Sequence, residues 1–434
     1  MQNGLPGRLY TQWGVIMYKD FNKEKPMIMF IDLNSAFATA EQQAHPTLRG
    51  KPMGVTNRIS KECCVIAASY EAKYLGIKVG MRLSDAKAIC RDFIMLETDA
   101  PKYHRVYEKL VRIMKDYSPK TFMKSIDEGV IDFHGLEPTL KGRSLVDIGY
   151  EIKQRVKDEI GDWMKINIGI APNIFLAKQA AGWHKPDGLD VIDHKNLKKY
   201  YAEMKLTDLT GIAEKFEARL NSYDIFSPLQ FLAADEYKLK KRVFNSITGT
   251  YWYRRLRGYE IDDNDTKLGM IGRQWVLRDP TNKDELLRSY LSFLCETTGM
   301  KVRFRNVEAR GICVWARLRN GESWYGKRMH KSSFFTNQEI YRRAMELFNQ
   351  RPSGADIQTM GIYCYGLEPS KRSQLSMFED VSKAGDLTKA CDELNDRFGA
   401  FTVYSAVTIE GKKVIKQKIP FGGTDYFELL LKRA

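Results

Sequence analysis

The sequence predicts a multidomain chain that mixes helices and strands, of the α/β or α+β class. Three observations lead to this prediction. Short apolar runs alternate with helical segments over residues 27–192, residues 193–263 are helix-rich with short loops, and residues 270–352 contain a strand-like alternation of apolar and polar side chains. At 434 residues, the chain is long enough for about three domains of roughly 150 residues each.

Composition argues against several classes of protein. With 43% hydrophobic and 12% aromatic residues, the chain can bury packed cores and is not disordered as a whole. No apolar run approaches the ~18 residues of a membrane span, and the polar start does not resemble a signal peptide. Seven cysteines without a CxxC pair argue against a disulfide framework or a zinc ribbon and favour a reducing cytosol. The net charge of +15 favours a polyanionic partner, either nucleic acid or an anionic membrane surface.

The first half of the chain supplies most of the predicted elements. Residues 1–26 lack a clear periodicity, and we treat them as an N-terminal extension, with Met17 as an alternative start. An apolar run over 27–31 predicts a buried strand. The other predicted strands cover 65–68, 122–126, 130–133 and 166–170, and the predicted helices cover 36–43, 70–75, 103–117, 145–163 and 173–182. An acidic turn, Asp127-Glu128-Gly129, joins two of these strands.

The second half is distinguished by its charge. Residues 270–352 contain 16 Lys+Arg against 8 Asp+Glu. Within them, apolar residues at 312, 314, 316 and 318 alternate with polar or aromatic ones, and Asn320-Gly321 is typical of a type I′ hairpin turn. This pattern predicts a small antiparallel sheet with one apolar face and one aromatic–basic face. A polar segment over 370–385 then separates the sheet from a final amphipathic helix.

Three carboxylates are the first candidate functional residues. Asp32 directly follows the first apolar strand, and Asp127 and Glu128 lie in the predicted turn. Hard divalent cations such as Mg²⁺ prefer oxygen ligands, and two such ions can clamp the attacking and leaving oxygens of an in-line displacement. The spacing along the chain does not by itself bring the three side chains together, so solvated turn residues are the alternative.

Four ordered motifs resemble those of the Y-family (translesion) DNA polymerases. Residues 30–38, FIDLNSAFA, resemble the first catalytic motif, and residues 125–128, SIDE, resemble the second. Between them, residues 67–73, AASYEAK, are similar to the finger motif. After them, residues 169–188, with LAK and KPDG, resemble the closing palm segment. The order and spacing hold over residues 27–192 and more loosely to about 366, and they identify the chain as a member of this family.

The resemblance implies an α+β multidomain fold, that of a right-hand polymerase with a ferredoxin-like palm, small fingers, a helical thumb and a C-terminal α/β DNA-gripping domain, the little finger. The implied bounds are 27–43 and 96–192 for the palm, 44–95 for the fingers, 193–263 for the thumb, 270–366 for the little finger and 367–434 for a C-terminal tail. The implied activity is low-fidelity, template-directed translesion synthesis at a primer 3′ end. Its implied partners are primer–template DNA and deoxynucleoside triphosphates. We expect a cytoplasmic, nucleoid-associated monomer without a membrane partner.

The resemblance also implies a role for each matching acidic residue. Asp32, Asp127 and Glu128 hold two Mg²⁺ ions, for which Mn²⁺ can substitute, and the backbone carbonyl of Leu33 completes one coordination shell. Phe37 matches the steric-gate aromatic, whose ring leaves no room for a ribose 2′-hydroxyl. As an isolated residue, Phe37 would instead belong to the apolar face of a short helix.

Three further residues match positions that contact the nucleotide triphosphate, namely Tyr70, Lys73 and Lys185. Many family members have arginine where this chain has Lys73, and lysine is a point charge rather than a bidentate fork. Without the motif context, all three would be interpreted as solvated surface residues.

Two regions are implied to contact DNA. Gly211 lies in residues 209–213, which resemble the thumb hairpin whose amides approach DNA phosphate, although a plain helix–helix turn is the alternative because the usual second glycine is Ala213. The remaining implied DNA contacts belong to the basic sheet and are Arg273, Trp315, Arg317 and Arg319. A solvated charged face is the alternative for this sheet.

A last motif lies in the polar segment. Gln374, Leu375, Met377 and Phe378 resemble the pentapeptide that binds the bacterial sliding clamp, which would be a further partner. The alternative is that these apolar side chains pack against the protein's own surface.

Two other functions compete with the polymerase. One is an inactive relative that serves as a DNA- and clamp-binding platform, and the presence of all three carboxylates argues against it. The other is a different two-metal palm enzyme such as a nucleotide cyclase, which would need neither a thumb nor a basic third domain nor a clamp motif.

Overall fold

The structure is a computed structural model, and it describes residues 21–60, 63–140, 142–262, 268–352, 354–370 and 381–415. These residues form two compact units, one up to residue 262 and one from residue 268 onwards. The candidate clamp-binding residues Gln374, Leu375, Met377 and Phe378 lie outside the described residues. Within the described ranges, no helix is long and apolar enough to cross a membrane.

The described residues of the first unit form eight strands and ten α-helices. The strands are β1 (Ile28–Leu33), β2 (Met53–Thr56), β3 (Ala67–Ala68), β4 (Ile94–Glu97), β5 (Thr121–Met123), β6 (Glu128–Asp132), β7 (Ile166–Ala171) and β8 (Leu189–Val191). The helices are α1 (Ala36–Ala44), α2 (Tyr70–Tyr74), α3 (Leu83–Ile89), α4 (Ala100–Lys115), α5 (Leu145–Arg155), α6 (Ile174–Trp183), α7 (Leu197–Ala202), α8 (Glu214–Asn221), α9 (Pro228–Ala233) and α10 (Thr248–Arg255).

The central sheet of this unit has five strands in the order β5-β6-β1-β7-β8. Strand β1 lies antiparallel to both β6 and β7, and β8 runs parallel to β7. The apolar run at the start of β1 is fully buried, as expected for a strand that is covered on both faces. Helix α6 packs so closely on β7 that a Cβ atom at Gly169 would lie 1.9 Å from the carbonyl oxygen of Ala177. The sheet therefore holds the end of β1, the start of β6 and helix α6 in fixed relative positions.

A small second sheet has the order β3-β2-β4 and is accompanied by α2 and α3. Its hydrophobic core consists of Val65, Ala68, Ala72, Ile77, Ala86 and Phe93. Helix α2 begins after Ser69, whose hydroxyl accepts a hydrogen bond from the amide of Ala72, the usual role of serine at an N-cap. This cap fixes the start of the helix that carries Tyr70 and Lys73.

Helices α7 to α10 confirm the prediction of a helix-rich region over 193–263. Their buried side chains form one hydrophobic core with those of α6, and the rings of Phe231 and Trp252 lie 5.5 Å apart within it. Asn173 caps α6 and also donates to the carbonyls of Arg255 and Tyr259. The helical region is thereby fixed to the central sheet through α6.

The second unit has a βαββαβ order followed by two more helices. Its elements are β9 (Met270–Thr281), α11 (Asp284–Phe304), β10 (Val307–Leu318), β11 (Ser323–Phe334), α12 (Asn337–Phe348), β12 (Ile357–Pro369), α13 (Val381–Phe398) and α14 (Ile409–Val414). The antiparallel sheet has the order β11-β10-β12-β9. Its apolar face, which includes Ile312 and Val314, forms one buried core with α11 and α12. The predicted sheet and the predicted final amphipathic helix are both present.

The last helices pack against α11. The rings of Phe293 and Phe401 stack at 4.7 Å between centroids, and Arg303 donates to both carboxylate oxygens of Asp392, at 2.5 and 2.8 Å. Residues 381–385 belong to α13, so the polar segment predicted over 370–385 ends earlier than expected.

Several local predictions differ from the structure. Glu128 and Gly129 begin strand β6 instead of forming a turn, because the chain reverses just before them, where the amides of Lys124 and Ser125 donate to the Glu128 carbonyl. The strand predicted over 65–68 is limited to Ala67–Ala68.

Two further differences concern turns in the backbone. The helix predicted over 145–163 passes into a π-helical turn over Val156–Ile160 and ends at Gly161. The hairpin between β10 and β11 forms, but Gly321 has a φ of +91° and Asn320 has no positive φ. It is therefore a type I turn followed by a left-handed glycine, and the predicted type I′ turn is wrong.

Candidate active site

Strand pairing brings the three acidic residues to one end of the central sheet. In the register of β1 and β6, Asp32 lies directly opposite Glu128. Asp127 precedes β6, and its carbonyl oxygen accepts a hydrogen bond of 2.9 Å from the amide of Leu33. The carboxylates that the sequence alone could not place together thus belong to one cluster.

Each carboxylate of this cluster has a hydrogen-bond donor. The ammonium group of Lys185 donates to Asp32 at 2.6 Å, and that of Lys178 donates to both oxygens of Glu128 at 2.8 Å. The hydroxyl of Ser125 donates to Asp127 at 2.5 Å.

Burial dominates the electrostatics of the two aspartates. It raises the pKa of Asp32 above its usual value, although the adjacent Lys185 opposes this effect and the charge of Glu128 adds to it. Burial also raises the pKa of Asp127, against the hydrogen bond from Ser125. Ionised carboxylates in such a place need nearby positive charge.

The chemistry of the cluster fits a divalent cation. Three carboxylates at one sheet end offer the oxygen ligands that Mg²⁺ prefers, and two of them already attract lysine ammonium groups. In the part of the chain that the structure describes, no group of three or more His, Cys, Asp or Glu side chains has the arrangement of a preformed metal site. A cation bound here would compete with Lys185 and Lys178 for carboxylate oxygens.

The candidate nucleotide contacts lie beside Asp32. Lys73 donates to the hydroxyl of Ser35 at 2.7 Å, and its ammonium nitrogen lies 4.7 Å from the centre of the Tyr70 ring. Burial, followed by the negative charge of Asp32, raises the pKa of Tyr70 to about 12. Burial and the charge of Lys185 lower the pKa of Lys73. Tyr70, Lys73 and Lys185 therefore face a common region next to the cluster.

Phe37 is fixed by a second aromatic ring. It is 8% exposed and stacks on Tyr103 with 4.5 Å between ring centroids. The Tyr103 hydroxyl donates to the buried Glu41 at 2.7 Å, and Lys102 donates to the same carboxylate at 2.6 Å. A buried hydrogen-bond network thus holds the ring on which Phe37 rests.

Two family models match this chain. The model of the impB/mucB/samB family matches residues 31–182, and the model of its C-terminal domain matches residues 270–377. Together they cover more than half of the sequence. The chain belongs to this family, the Y-family DNA polymerases.

Relatives and solved structures agree with this membership. DNA polymerase IV of Pelotomaculum thermopropionicum is 30% identical over 90% of this chain and 97% of its own length. The DNA polymerase IV of Moorella thermoacetica is 29% identical over 89% of this chain and 97% of its own length. A Y-family DNA polymerase chimera of Dbh and Dpo4 and DinB from Sulfolobus solfataricus share the fold, with TM-scores of 0.67 and 0.53. Each is 23% identical, and each match covers 78% of this chain and 98% of the other. The predicted family and fold class are confirmed.

The turn around Gly211 is attached to helix α6. Gly211 has a φ of +96°, which glycine adopts without strain, and the chain then enters α8 at Glu214. The amide and the hydroxyl of Thr210 both donate to the side-chain oxygen of Gln179, at 3.0 and 2.7 Å. Gln179 in turn donates to the carbonyl of Asp208. In this polymerase, Gln179 therefore links the candidate thumb turn to helix α6.

The open face of the second sheet carries aromatic and basic side chains. Trp315 lies opposite Tyr325 on β11 and Gly361 on β12, and a Cβ atom at Gly361 would lie 2.3 Å from its indole nitrogen. Arg317 is exposed on the same strand two residues later. Arg319 lies in the following turn, where its amide donates to the Asp356 carbonyl.

Arg273 lies on the other face of this sheet. On β9 it pairs with the buried Ile362, and its guanidinium lies 5.7 Å from the ring of Phe293 in α11. The structure therefore does not bring Arg273 together with Trp315 and Arg317.

Sequence reasoning did not find Lys178, Gln179, Tyr103 or Glu41 as residues around the site. Lys178 and Gln179 lie at or next to a motif that carried the resemblance, but no spacing pattern indicates their partners. Lys178 is 50 residues from Glu128, and Tyr103 is 62 residues from Glu41. Only the folded structure shows these contacts.

Proposed function

We propose that this Y-family chain is a template-directed DNA polymerase that adds deoxynucleotides to a primer 3′ end, with the low fidelity of translesion synthesis. The observation that carries this proposal is the meeting of Asp32, Asp127 and Glu128 at one sheet end. Relatives named DNA polymerase IV that align over 97% of their length support it. The chain also shares its fold, at a TM-score of 0.56, with a structure described as an insertion ternary complex of Dbh DNA polymerase, and this supports the proposal.

We infer that Asp32, Asp127 and Glu128, with the carbonyl of Leu33, hold two Mg²⁺ ions, for which Mn²⁺ can substitute. When bound, such ions lower the pKa of the attacking hydroxyl and neutralise the phosphates in an in-line displacement. The protein contributes a buried cluster of negative charge that favours cations.

The nucleotide would be bound by the residues around Asp32. Lys73 and Lys185 would donate to phosphate oxygens, and such charge-assisted hydrogen bonds are among the stronger ones in proteins. Tyr70 keeps its proton at neutral pH, because its pKa is about 12, so its hydroxyl can donate to a phosphate. Phe37, supported by Tyr103, would lie under the sugar and exclude a 2′-hydroxyl. Catalysis would then rest mainly on positioning and charge neutralisation.

Primer–template DNA would contact two surfaces. The amides near Gly211 would approach a phosphate, and the open face with Trp315, Arg317 and Arg319 would lie along the duplex backbone. Arg273 would not belong to this surface, because its guanidinium packs against Phe293.

We propose the remaining assignments on the family resemblance. The palm would comprise residues 27–43 and 96–192, the fingers 44–95, the thumb 193–263 and the little finger 270–366, with a tail beyond. The motif from Gln374 to Phe378 would bind the bacterial sliding clamp. The protein would act as a monomer on nucleoid DNA in the cytoplasm.

Single-nucleotide primer extension in Mg²⁺ tests the proposal. We expect the wild type to add the template-matched deoxynucleotide and Glu128→Gln to be inactive. Asp132→Asn is the matched control, because Asp132 lies on the same strand at the end remote from the cluster, opposite Ile28. Equal extension by wild type and Glu128→Gln would contradict the assignment of the cluster, and a wild type that extends no primer would contradict the function.

A further inference from the structure

The turn that presents Lys185 to Asp32 is held from inside the protein by two asparagines. The turn runs from His184 to Gly188, between α6 and β8. Asn34 follows β1 and is 1% exposed, and Asn167 lies in β7 and is 0% exposed. In the register of β1 and β7, Asn167 lies directly opposite Asp32.

The two side chains form a directional series of hydrogen bonds, which we call the asparagine bridge. The amide of Asp187 donates to the side-chain oxygen of Asn34 at 2.8 Å. The side-chain nitrogen of Asn34 donates to the side-chain oxygen of Asn167 at 2.9 Å. The side-chain nitrogen of Asn167 then donates to the carbonyl of His184 at 3.1 Å. The asparagine bridge therefore begins and ends on the same turn, on either side of Lys185.

Other contacts leave this turn little freedom. Lys153, which is 6% exposed, donates to the carbonyl and the carboxylate of Asp187 at 2.5 and 2.7 Å. A Cβ atom at Gly188 would lie 2.2 Å from the His184 carbonyl oxygen and 3.0 Å from the Asn167 side-chain nitrogen. The space between the turn and β7 is thus just sufficient for the bridge.

Each of the two side chains in this bridge must accept one hydrogen bond and donate another. An asparagine carries both a donor and an acceptor on one short side chain, whereas a purely apolar residue would leave a buried backbone amide and carbonyl without partners. With an apolar residue at either position, the turn would lose its hydrogen-bonded link to β1 and β7.

We propose that Asn34 and Asn167 are positioning residues for nucleotide binding, which act by holding the 184–188 turn so that Lys185 reaches the incoming triphosphate. This inference rests on the proposed function, in which Lys185 contacts the triphosphate. Neither asparagine touches the substrate itself. Both act by fixing the conformation of the turn, and neither is a proposed metal ligand.

The test measures nucleotide affinity without chemistry. The full chain is bound to a primer–template with a dideoxy-terminated primer, and the matched deoxynucleoside triphosphate is titrated in Mg²⁺. We expect Asn34→Ala and Asn167→Ala each to raise the nucleotide Kd about tenfold, which corresponds to about 1.4 kcal/mol. The Kd for the primer–template should stay within about twofold, because the DNA-binding surfaces are unchanged.

A double-mutant cycle with Lys185→Ala separates positioning from general stability. If the asparagines act through Lys185, their substitution has no further effect on nucleotide Kd in the Lys185→Ala background. The inference would be overturned if the increases in nucleotide Kd multiply in the double variants. It would also be overturned if the asparagine variants lose DNA affinity by the same factor, or if they have no effect on nucleotide Kd.

The matched control is Asn395→Ala in the second unit. Asn395 is 6% exposed and likewise makes one donor and one acceptor contact, both with Val403, at 2.9 and 2.8 Å. We expect this variant to lose stability but to keep the wild-type nucleotide Kd, and a tenfold rise would contradict the inference. If Asn167→Ala does not fold, Asn167→Thr replaces it. Threonine suits a strand but its side chain is too short for the bridge, so we expect the same tenfold rise in nucleotide Kd.

The outcomes also distinguish this inference from the proposed function. A wild-type complex that does not bind the template-matched deoxynucleoside triphosphate would overturn the proposed function and the inference with it. If the wild type binds that nucleotide, Lys185→Ala weakens binding and the asparagine variants do not, only the inference is overturned.

Discussion

Asp127 differs from the other two acids of the cluster in its partner. Asp32 and Glu128 each pair with a lysine, at 2.6 and 2.8 Å, whereas the hydrogen bond to Asp127 comes from the neutral hydroxyl of Ser125. Burial raises the pKa of Asp127. A raised carboxyl pKa means that folding stability is lost as the pH rises through that pKa, so the buried Asp127 carboxyl lowers the stability of the metal-free protein towards neutral pH.

The first prediction follows for Asp127→Asn. We expect the variant to lose nucleotide incorporation, to bind DNA nearly as the wild type does, and to melt about 2–4 °C higher in chelator at neutral pH. Added Mg²⁺ should stabilise the wild type by mass action but not the variant. The control Asp132→Asn removes the negative charge that lies 2.6 Å from the His134 ring nitrogen and should melt lower. A lower melting temperature for Asp127→Asn would contradict the argument.

The second prediction concerns sugar selection by Phe37. Removal of its ring leaves space above Tyr103, with which it stacks, so Phe37→Ala should raise ribonucleotide incorporation much more than it lowers deoxynucleotide incorporation. Single-nucleotide kinetics with matched ribo- and deoxynucleotides measure the ratio. Phe226, which is 61% exposed, provides the control substitution to alanine. An unchanged ratio in Phe37→Ala would show that another residue forms the gate.

At the scale of elements, helix α6 links the sheet to the site. Gly169 on β7 allows the helix to approach, because a Cβ atom there would lie 1.9 Å from the Ala177 carbonyl oxygen and 2.3 Å from the Ala181 amide nitrogen. The same helix carries Lys178 and Gln179, which contact Glu128 and Thr210. Close packing at one glycine therefore determines two contacts of the site.

The third prediction is that Gly169→Ala destabilises the protein by about 3 kcal/mol, the upper part of the range for overpacking. Urea unfolding measures the change. Gly182, also in α6, is the matched control, because a Cβ atom there has no neighbour within 4 Å. Gly182→Ala should stabilise the helix by about 0.5–1 kcal/mol. Similar stability of the two variants would contradict the close-packing argument.

Elements with a clear periodicity or cap could be predicted from the sequence. Strand β1, helix α4 and the buried alternation of β10 follow from their apolar patterns. Strands β2, β4 and β8 were not predicted, since three or four residues are too short for a period to be visible and only their partner strands define them. Within the site, the carboxylates were found as motifs. The asparagine bridge was not, because its contacts join residues 133 and 153 positions apart.

At the scale of the whole molecule, the positive charge favours DNA binding that does not depend on the base sequence. The net charge is +15, and the open face of the second unit presents Arg317 and Lys327, the latter with its ammonium 4.5 Å from the Tyr365 ring. Contacts of this kind with phosphate release counterions, so they make affinity depend on salt.

The fourth prediction compares two arginines on opposite faces of one sheet. Arg317→Ala should weaken DNA binding and reduce the slope of log affinity against log salt by about 0.9 for one phosphate contact. Arg273→Ala is the matched control, because its guanidinium packs on Phe293, and it should leave the slope unchanged. Fluorescence titration at several salt concentrations measures both, and equal slopes for the two variants would contradict the assignment of the faces.

The fifth prediction concerns attachment to a second protein. Replacement of Gln374, Leu375, Met377 and Phe378 by alanine should abolish stimulation by a loaded bacterial sliding clamp and leave clamp-free extension unchanged. The physical reason is effective concentration, because a weak tether keeps a polymerase that dissociates early close to its primer. Ser376→Ala, at the position between the apolar residues, is the matched control and should keep stimulation. Melting temperature, clamp-free extension and clamp-stimulated extension are measured on one preparation. A joint fall of all three in the quadruple variant would mean that these side chains pack against the protein itself, and the clamp assignment would then be wrong.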